Sequence, residues 1–192
     1  KYILSEKEMR EHWIKQRVEE NTTLRKKFKN DPQGLKKAEK LLEYETGRQF
    51  WKSNEICMRH AEGIRSNTPV LAKLWYFWTN HFTISDTQSL ASFSTGAYQR
   101  EFIRANMDKK FETMAIEATI AWPMMMHLDN KDNIGPKSKS GKEDWRRKEN
   151  KPATINENHA RELMELHTIS PKGGYSQEDV QELAKIMTGW RP

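Results

Sequence analysis

The apolar residues of segment 69–82 are spaced as on one face of an α-helix. Leu71, Leu74, Trp75, Trp78 and Phe82 stand at i, i+3, i+4, i+7 and i+11, which is the spacing of a buried helix face. Comparable spacing recurs in segments 5–29, 33–62, 96–109, 111–127 and 177–188. No segment shows the strict alternation of a half-exposed strand. The sequence therefore predicts an all-α fold, an irregular multi-helix bundle with one long polar loop and no significant sheet.

Residues with strong local preferences mark the ends of these helices. Asn30-Asp31-Pro32 separates the first two segments, and Pro69 fits the first turn of the helix that follows Thr68. Ser176 with Asp179 three residues later resembles a capping box. The 192 residues fit one domain. We therefore expect a single helical domain over 1–192, and we interpret both ends as truncated.

The long polar loop is predicted at 129–151. It contains eight Lys or Arg and five Asp or Glu residues, a net charge of +3 within a chain of net charge +6. A loop of this length without a helix is usually functional or disordered. Trp145 among these cations could stack on a nucleic-acid base, and a solvated mobile loop is the alternative interpretation.

Several classes of protein are excluded or left without support. Cys57 is the single cysteine, so no intramolecular disulfide forms. No run approaches the roughly 20 apolar residues of a membrane-spanning helix. Neither a glycine-rich phosphate loop nor a Gly-x-Ser-x-Gly motif occurs. The sequence indicates neither a compartment nor an oligomeric state.

The stretch 156–168 concentrates groups that bind metals or transfer protons, and it is predicted to form one helix. At about 100° per residue, one face carries Asn156, His159, Ala160, Leu163, Met164, Leu166 and His167. Glu162 lies at the edge of that face. Arg161 and Glu165 point away from it, where they are spaced as a surface ion pair.

A second histidine, His81, lies on the apolar stripe of segment 69–82. We predict that His81, Glu162 and His167 meet as catalytic residues or as ligands of a divalent metal, because helical bundles supply imidazole and carboxylate ligands from facing helices. The polar residues expected to line the same cavity are Asn80, Asp129, Asn130, Asn156, Glu157 and Asn158. The alternative is a buried polar network that fixes helix packing.

Four blocks of this sequence resemble the bacterial domain-of-unknown-function 1800 family over roughly residues 68–192. The blocks are Phe77-Trp78-Thr79-Asn80-His81-Phe82, the segment 125–136 with Leu128-Asp129-Asn130 and Gly135-Pro136, the stretch 156–168, and the segment 173–180 with Thr188-Gly189-Trp190. His159 stands where the family usually has Tyr, and Lys172 where an acidic residue often precedes the glycines. The resemblance implies a bacterial protein with many exported relatives and a longer chain, and it implies no established activity.

Three functions remain open at this point. The first is a metal-dependent enzyme built on the His, Glu and Asn cluster. The second is a helical binding or scaffold module in which the cluster is a structural network. The third is a nucleic-acid-binding protein that uses the basic loop.

Overall fold

A computed structural model shows an all-α fold. It describes residues 4–45, 48–85, 91, 93–143 and 154–190, and this part of the chain contains no strand. The first half comprises α1 (Glu6–Lys15), a π-helical turn (Gln16–Glu20), α2 (Asn21–Lys27), α3 (Pro32–Glu45), α4 (Arg48–Arg65) and α5 (Pro69–His81). None of the described helices is long and apolar enough to cross a membrane.

The second half is built from shorter helices joined by irregular turns. α6 (Thr95–Tyr98) runs into a π-helical turn (Gln99–Ile103) and a 3₁₀ turn (Arg104–Asn106). The elements that follow are α7 (Phe111–Ile120), α8 (Trp122–His127), a 3₁₀ turn (Asn130–Asp132), α9 (Lys139–Glu143), α10 (Asn158–Glu162), a π-helical segment (Leu163–Thr168) and α11 (Gln177–Ile186).

The predicted helix boundaries have clear local causes. Pro69 lies in the first turn of α5. Ala121 has extended backbone and Pro123 lies in the first turn of α8, so the predicted helix 111–127 is divided in two. The capping box of α11 is present, since the Ser176 hydroxyl accepts from the Asp179 N–H and the Asp179 carboxylate accepts from the Ser176 N–H.

Two clusters of buried side chains form the core. The main cluster contains residues of α1, α5, α6, α7 and α8, with Phe82, Tyr98, Ile103 and Met124 fully buried. The second cluster joins α10 and its π-helical segment to the end of α11, through Ala160, Met164, Val180, Ala184 and Met187. The Met124-Met125-Met126 run is buried, as expected for core packing.

The buried face of α5 differs from the predicted one. In α5, Leu71 is 52% exposed and Leu74 is 38% exposed. The face of α5 that enters the core instead carries Ala72, Trp75 and Thr79. In α3 and α4, the apolar residues Leu41, Ile56 and Met58 are also exposed. The stripe in α5 is apolar over more than one face, so periodicity alone did not identify the side that contacts the bundle.

The predicted loop 129–151 contains regular structure. The 3₁₀ turn Asn130–Asp132 and the helix α9 lie within it, so the prediction of a loop without a helix was wrong. Ser138 stabilises the start of α9, because its hydroxyl accepts the Gly141 N–H at 3.0 Å. Trp145 and the neighbouring cations lie outside the described residues.

Candidate functional site in the second half of the chain

The helix that begins at Asn158 widens into a π-helix at Leu163. The Thr168 hydroxyl donates to the carbonyl oxygen of Leu163, and the Ile169 N–H donates to that of Met164, both five residues back. A wider turn changes the angular position of every later side chain. His167 is buried as predicted. Leu166, in contrast, is 59% exposed, contrary to the prediction.

The structure brings His81 and His167 together. Their ring centroids lie 6.1 Å apart, and the Nε2–H of His81 donates to the backbone carbonyl oxygen of His167 at 2.8 Å. Phe82 contacts the His167 ring, and Phe111 packs against the His81 ring at 6.0 Å. One nitrogen of His81 is thus used to anchor the π-helical segment to the end of α5.

Two further histidines complete a histidine cluster, which comprises His81, His127, His159 and His167. His159 is 1% exposed, and neither of its ring nitrogens has a hydrogen-bond partner among the described residues. Burial lowers the pKa of His159 to about 4, with His167 and His127 as further causes. The His159 ring is thus uncharged at neutral pH.

The other two pKa shifts in the cluster have the same main cause. Burial, followed by the proximity of His81 and His127, lowers the pKa of His167 to about 4. Burial also lowers the pKa of His127, while the nearby carboxylate of Asp129 opposes that shift. The Ser85 N–H donates to Nε2 of His127 at 3.4 Å.

The predicted metal ligands do not assemble into one group. No set of three or more His, Cys, Asp or Glu side chains in the described part of the chain is placed to hold a metal ion. Glu162 is half buried on α10, and it does not form a three-residue metal-binding group with His81 and His167 among the described residues. What the pair does in this structure is to join α5 to the π-helical segment.

Asn130 and Asn133 lie in the core and cap the carboxyl end of α11. Asn130 Nδ2 donates to the carbonyl oxygens of Met187 and Trp190 at 3.2 and 3.1 Å. Asn133 Nδ2 donates to Asn130 Oδ1 at 3.2 Å and to the carbonyl oxygen of Ala184 at 2.8 Å. The last four carbonyl groups of a helix lack partners within the helix, and these two amides supply partners for them.

Asn156 and Asn158 extend these contacts to α8 and α10. The Asn156 N–H donates to Asn133 Oδ1 at 3.1 Å, and Asn158 Nδ2 donates to the Leu128 carbonyl oxygen at 3.2 Å. Asn156 Nδ2 donates to the carbonyl oxygen of Asp129 at 3.3 Å. We call Asn130, Asn133, Asn156 and Asn158 the asparagine network. It joins the end of α8, the start of α10 and the end of α11.

The sequence analysis missed Asn133, which makes three of these contacts, as many as the predicted residue Asn130. A signal was present, because Asn133 follows Asn130 by three residues and so shares one side of a helical turn. Asp129 has a left-handed backbone (φ 57°), and its carboxylate lies 3.4 Å from the Lys131 ammonium.

The remaining predicted residues lie at the surface or near it. Asn80 is exposed. Glu157 accepts hydrogen bonds from Arg161 at 2.9 Å and from Gln177 at 2.7 Å. Its pKa is lowered, mainly by the Gln177 bond. Arg161 therefore pairs with Glu157, four residues before it, and the predicted pairing with Glu165 is not observed among the described contacts.

An apolar groove of about 740 Å³ opens beside these networks. We call it the α7–α11 groove. One wall is α7, with Phe111, Ile116 and Ile120, and the floor includes Leu163 and Met164 of the π-helical segment. The opposite wall is α11, and the groove extends to Trp190. The sequence analysis did not identify this groove, because its walls come from three separate segments of the chain.

Comparison with known proteins gave one match. Searches of curated proteins and of solved structures found no match. A family model described as "Protein of unknown function (DUF1800)" matches residues 5–192. This range includes nearly the whole chain and all the elements that build the histidine cluster, the asparagine network and the α7–α11 groove. The chain therefore belongs to the DUF1800 family.

Proposed function

We propose that this protein is a helical binding module, and that the α7–α11 groove receives the apolar face of an amphipathic helix with basic flanks. The observation that carries the proposal is the groove itself. It has about 740 Å³ of space, and ordinary ligand sites range from about 300 to 1,000 Å³. Recognition of a helix by an apolar groove is a recurrent binding mode.

The exposure of the groove residues supports a macromolecular partner. Ile116 is 52% exposed and Ile186 is 68% exposed, on opposite walls. Phe111, Ile120, Ile169 and Trp190 each remain 40% exposed or more along the same groove. A contiguous exposed apolar surface of this kind marks a site of association. The open, elongated arrangement suits a helix that inserts side chains along its length.

The charge of the groove favours a basic partner. Its polar lining includes Glu112, Asp179 and Glu182, and none of its described lining residues is a lysine or arginine. This acidic rim contrasts with the net charge of +6 for the whole chain. Complementary charges at a rim accelerate association and select the orientation of the partner.

The contact between His81 and His167 and the asparagine network support this function as structural elements. Phe111 lines the groove and contacts His81, which in turn holds the π-helical segment through its hydrogen bond to His167. The asparagine network fixes the end of α11 relative to α8 and α10. Together these contacts set the spacing of the groove walls. The metal-enzyme alternative has no comparable geometric support in the described residues.

A synthetic helical peptide tests the proposal. A fluorescent peptide of about 18 residues, or five turns, would carry Leu at i, i+3, i+4 and i+7 and Lys on its other face. We expect saturable binding by fluorescence anisotropy. Ile116→Asp should weaken that binding by about tenfold or more, because it places a charge in the apolar contact. Ile64→Asp is the matched control, since Ile64 is 81% exposed and lies outside the groove.

Three results would contradict the proposal. The peptide could fail to bind saturably, or the two Asp variants could lose binding equally. A peptide with Glu in place of every Lys could also bind as tightly as the basic one, which would contradict the proposed charge of the partner.

A further inference from the structure

A second, smaller cavity lies beside α4. It has about 220 Å³ of space between α4, Ile84 and the start of α6. Lys52, Glu55, Ile56 and Arg59 line it from α4, and their spacing of i, i+3, i+4 and i+7 places them on one face of that helix. We call it the Arg59 pocket. It shares no lining residue with the α7–α11 groove.

The guanidinium of Arg59 is held by neutral groups. Nη1 donates to Gln99 Oε1 at 3.3 Å, and Nη2 donates to the Thr79 hydroxyl at 3.2 Å. The Tyr76 ring lies 5.0 Å from the guanidinium carbon, and the Tyr76 hydroxyl donates to the Arg59 carbonyl oxygen. No carboxylate forms an ion pair with Arg59 within the described portion of the chain. A guanidinium has five N–H donors, so donors remain beyond the two used here.

The one acidic side chain among the described lining residues is already paired. Glu55 forms an ion pair with Arg100, and both side chains are largely buried. Gly96 lets Glu55 approach closely, because a Cβ at position 96 would lie 2.3 Å from a Glu55 carboxylate oxygen. With Glu55 paired to Arg100, the guanidinium of Arg59 has no carboxylate partner among the described lining residues of the pocket.

We propose that the Arg59 pocket binds a small organic carboxylate with a short aliphatic chain. The ligand carboxylate accepts from the free N–H groups of Arg59, whose planar fork matches a carboxylate. The aliphatic chain lies against Ile56 and Ile84, the apolar lining residues. The pocket is smaller than the roughly 300 Å³ at which drug-sized ligand sites begin, so a small acid fits and a nucleotide does not.

Butanoate, butanamide and inorganic phosphate are the probes for this site. Binding is measured by isothermal titration calorimetry on the whole chain at fixed ionic strength. Butanoate should bind saturably, whereas butanamide, of the same shape without the charge, should bind at least about tenfold more weakly. Phosphate lacks the aliphatic chain and should also bind more weakly than butanoate.

A pair of conservative variants locates the binding. Arg59→Lys keeps the charge and removes the fork, and it should weaken butanoate binding by about tenfold. Arg65→Lys makes the same change at an exposed position of α4 outside the pocket, and it should bind as the wild type does. No saturable butanoate binding, equal affinity for butanamide, tighter binding of phosphate, or equal losses in the two variants would each overturn the proposal.

Discussion

At the scale of single residues, His159 is the least satisfied buried group of the candidate site. It is 1% exposed, and both ring nitrogens lack partners within the described residues. Leaving a buried donor or acceptor unpaired costs about 1–3 kcal/mol. The histidine cluster therefore lowers the stability of the fold at neutral pH, and it does so increasingly as the pH falls.

The sign of this pH dependence follows from the pKa values of His159 and His167. His159 and His167 have folded-state pKa values of about 4, below the value of about 6.5 for an unperturbed histidine. Between those values the unfolded chain binds more protons than the folded chain. Stability is therefore fully present above pH 6.5 and is lost as the pH falls towards 4, by at most about 1.4 kcal/mol per pH unit for each histidine.

His159→Leu tests this account. Leucine has a similar volume and no polar ring atoms, so we expect the free energy of unfolding at pH 7 to rise by about 1 kcal/mol. The decrease in stability between pH 6.5 and 4 should become smaller, because one of the three histidines with a lowered pKa is removed. Urea unfolding at several pH values measures both quantities. A variant that is less stable at pH 7, with an unchanged pH slope, would show that His159 has a partner or a charge in the folded state.

At the scale of elements, the asparagine network supplies hydrogen bonds that position helix ends in this part of the fold. α10 and α11 are short, and isolated helices of this length are marginal in water. Asn133 Nδ2 donates to the Ala184 carbonyl oxygen, and its Oδ1 accepts the Asn156 N–H. The Gly189 N–H donates to its backbone carbonyl oxygen at 3.2 Å. One side chain thus positions the ends of two helices.

Asn133→Ala should therefore destabilise the protein strongly. It removes three side-chain hydrogen bonds and leaves the Ala184 carbonyl and the Asn156 N–H without those partners, so we expect a loss of about 3 kcal/mol in the free energy of unfolding. Asn80→Ala is the matched control. Asn80 is exposed, and its replacement should change stability by less than about 0.5 kcal/mol. Similar losses for both variants by denaturant unfolding would contradict the assignment of Asn133 as the joining residue.

The sequence was more informative about where helices begin than about which faces they bury. Pro69, Pro123 and the Ser176 capping box each act through local backbone preferences, and all three appear as expected. The π-helical segment after Glu162 was not predictable from spacing at about 100° per residue, because it depends on tertiary contacts. That segment is why Leu166 is exposed while His167 remains buried.

The meeting of His81 and His167 could be predicted because both histidines lie on apolar helix faces. The roles of the two histidines could not be predicted, because a buried imidazole can act as a ligand, a base or a hydrogen-bond donor to the backbone. The hydrogen bond from His81 to the His167 carbonyl oxygen identifies the third of these in this structure. The α7–α11 groove could not be predicted from the sequence, because apolar residues that line a groove have the same spacing as those of a core.

At the scale of the whole molecule, the two core clusters differ in size. The second cluster comprises Ala160, Met164, Val180, Ala184 and Met187, with three partly buried residues around it. The main cluster contains many more buried side chains, including large aromatic ones. Hydrophobic stabilisation grows with the apolar area removed from water, so the second cluster stabilises its helices less than the main cluster does.

This difference predicts that α10 and α11 open before the main core unfolds. Native-state hydrogen exchange should give lower opening free energies for the amides of Val180, Ala184 and Met187 than for those of Met114 and Ala118. Asn133→Ala should lower the opening free energy in α11 further. The same substitution should change the opening free energy less in α7, where the main core protects the amides. Equal opening free energies in α7 and α11 would mean that the two clusters unfold as one unit. A groove whose far wall opens in this way can admit a helical partner and close on it, so binding of the basic peptide should raise the protection of the α11 amides more than that of α7.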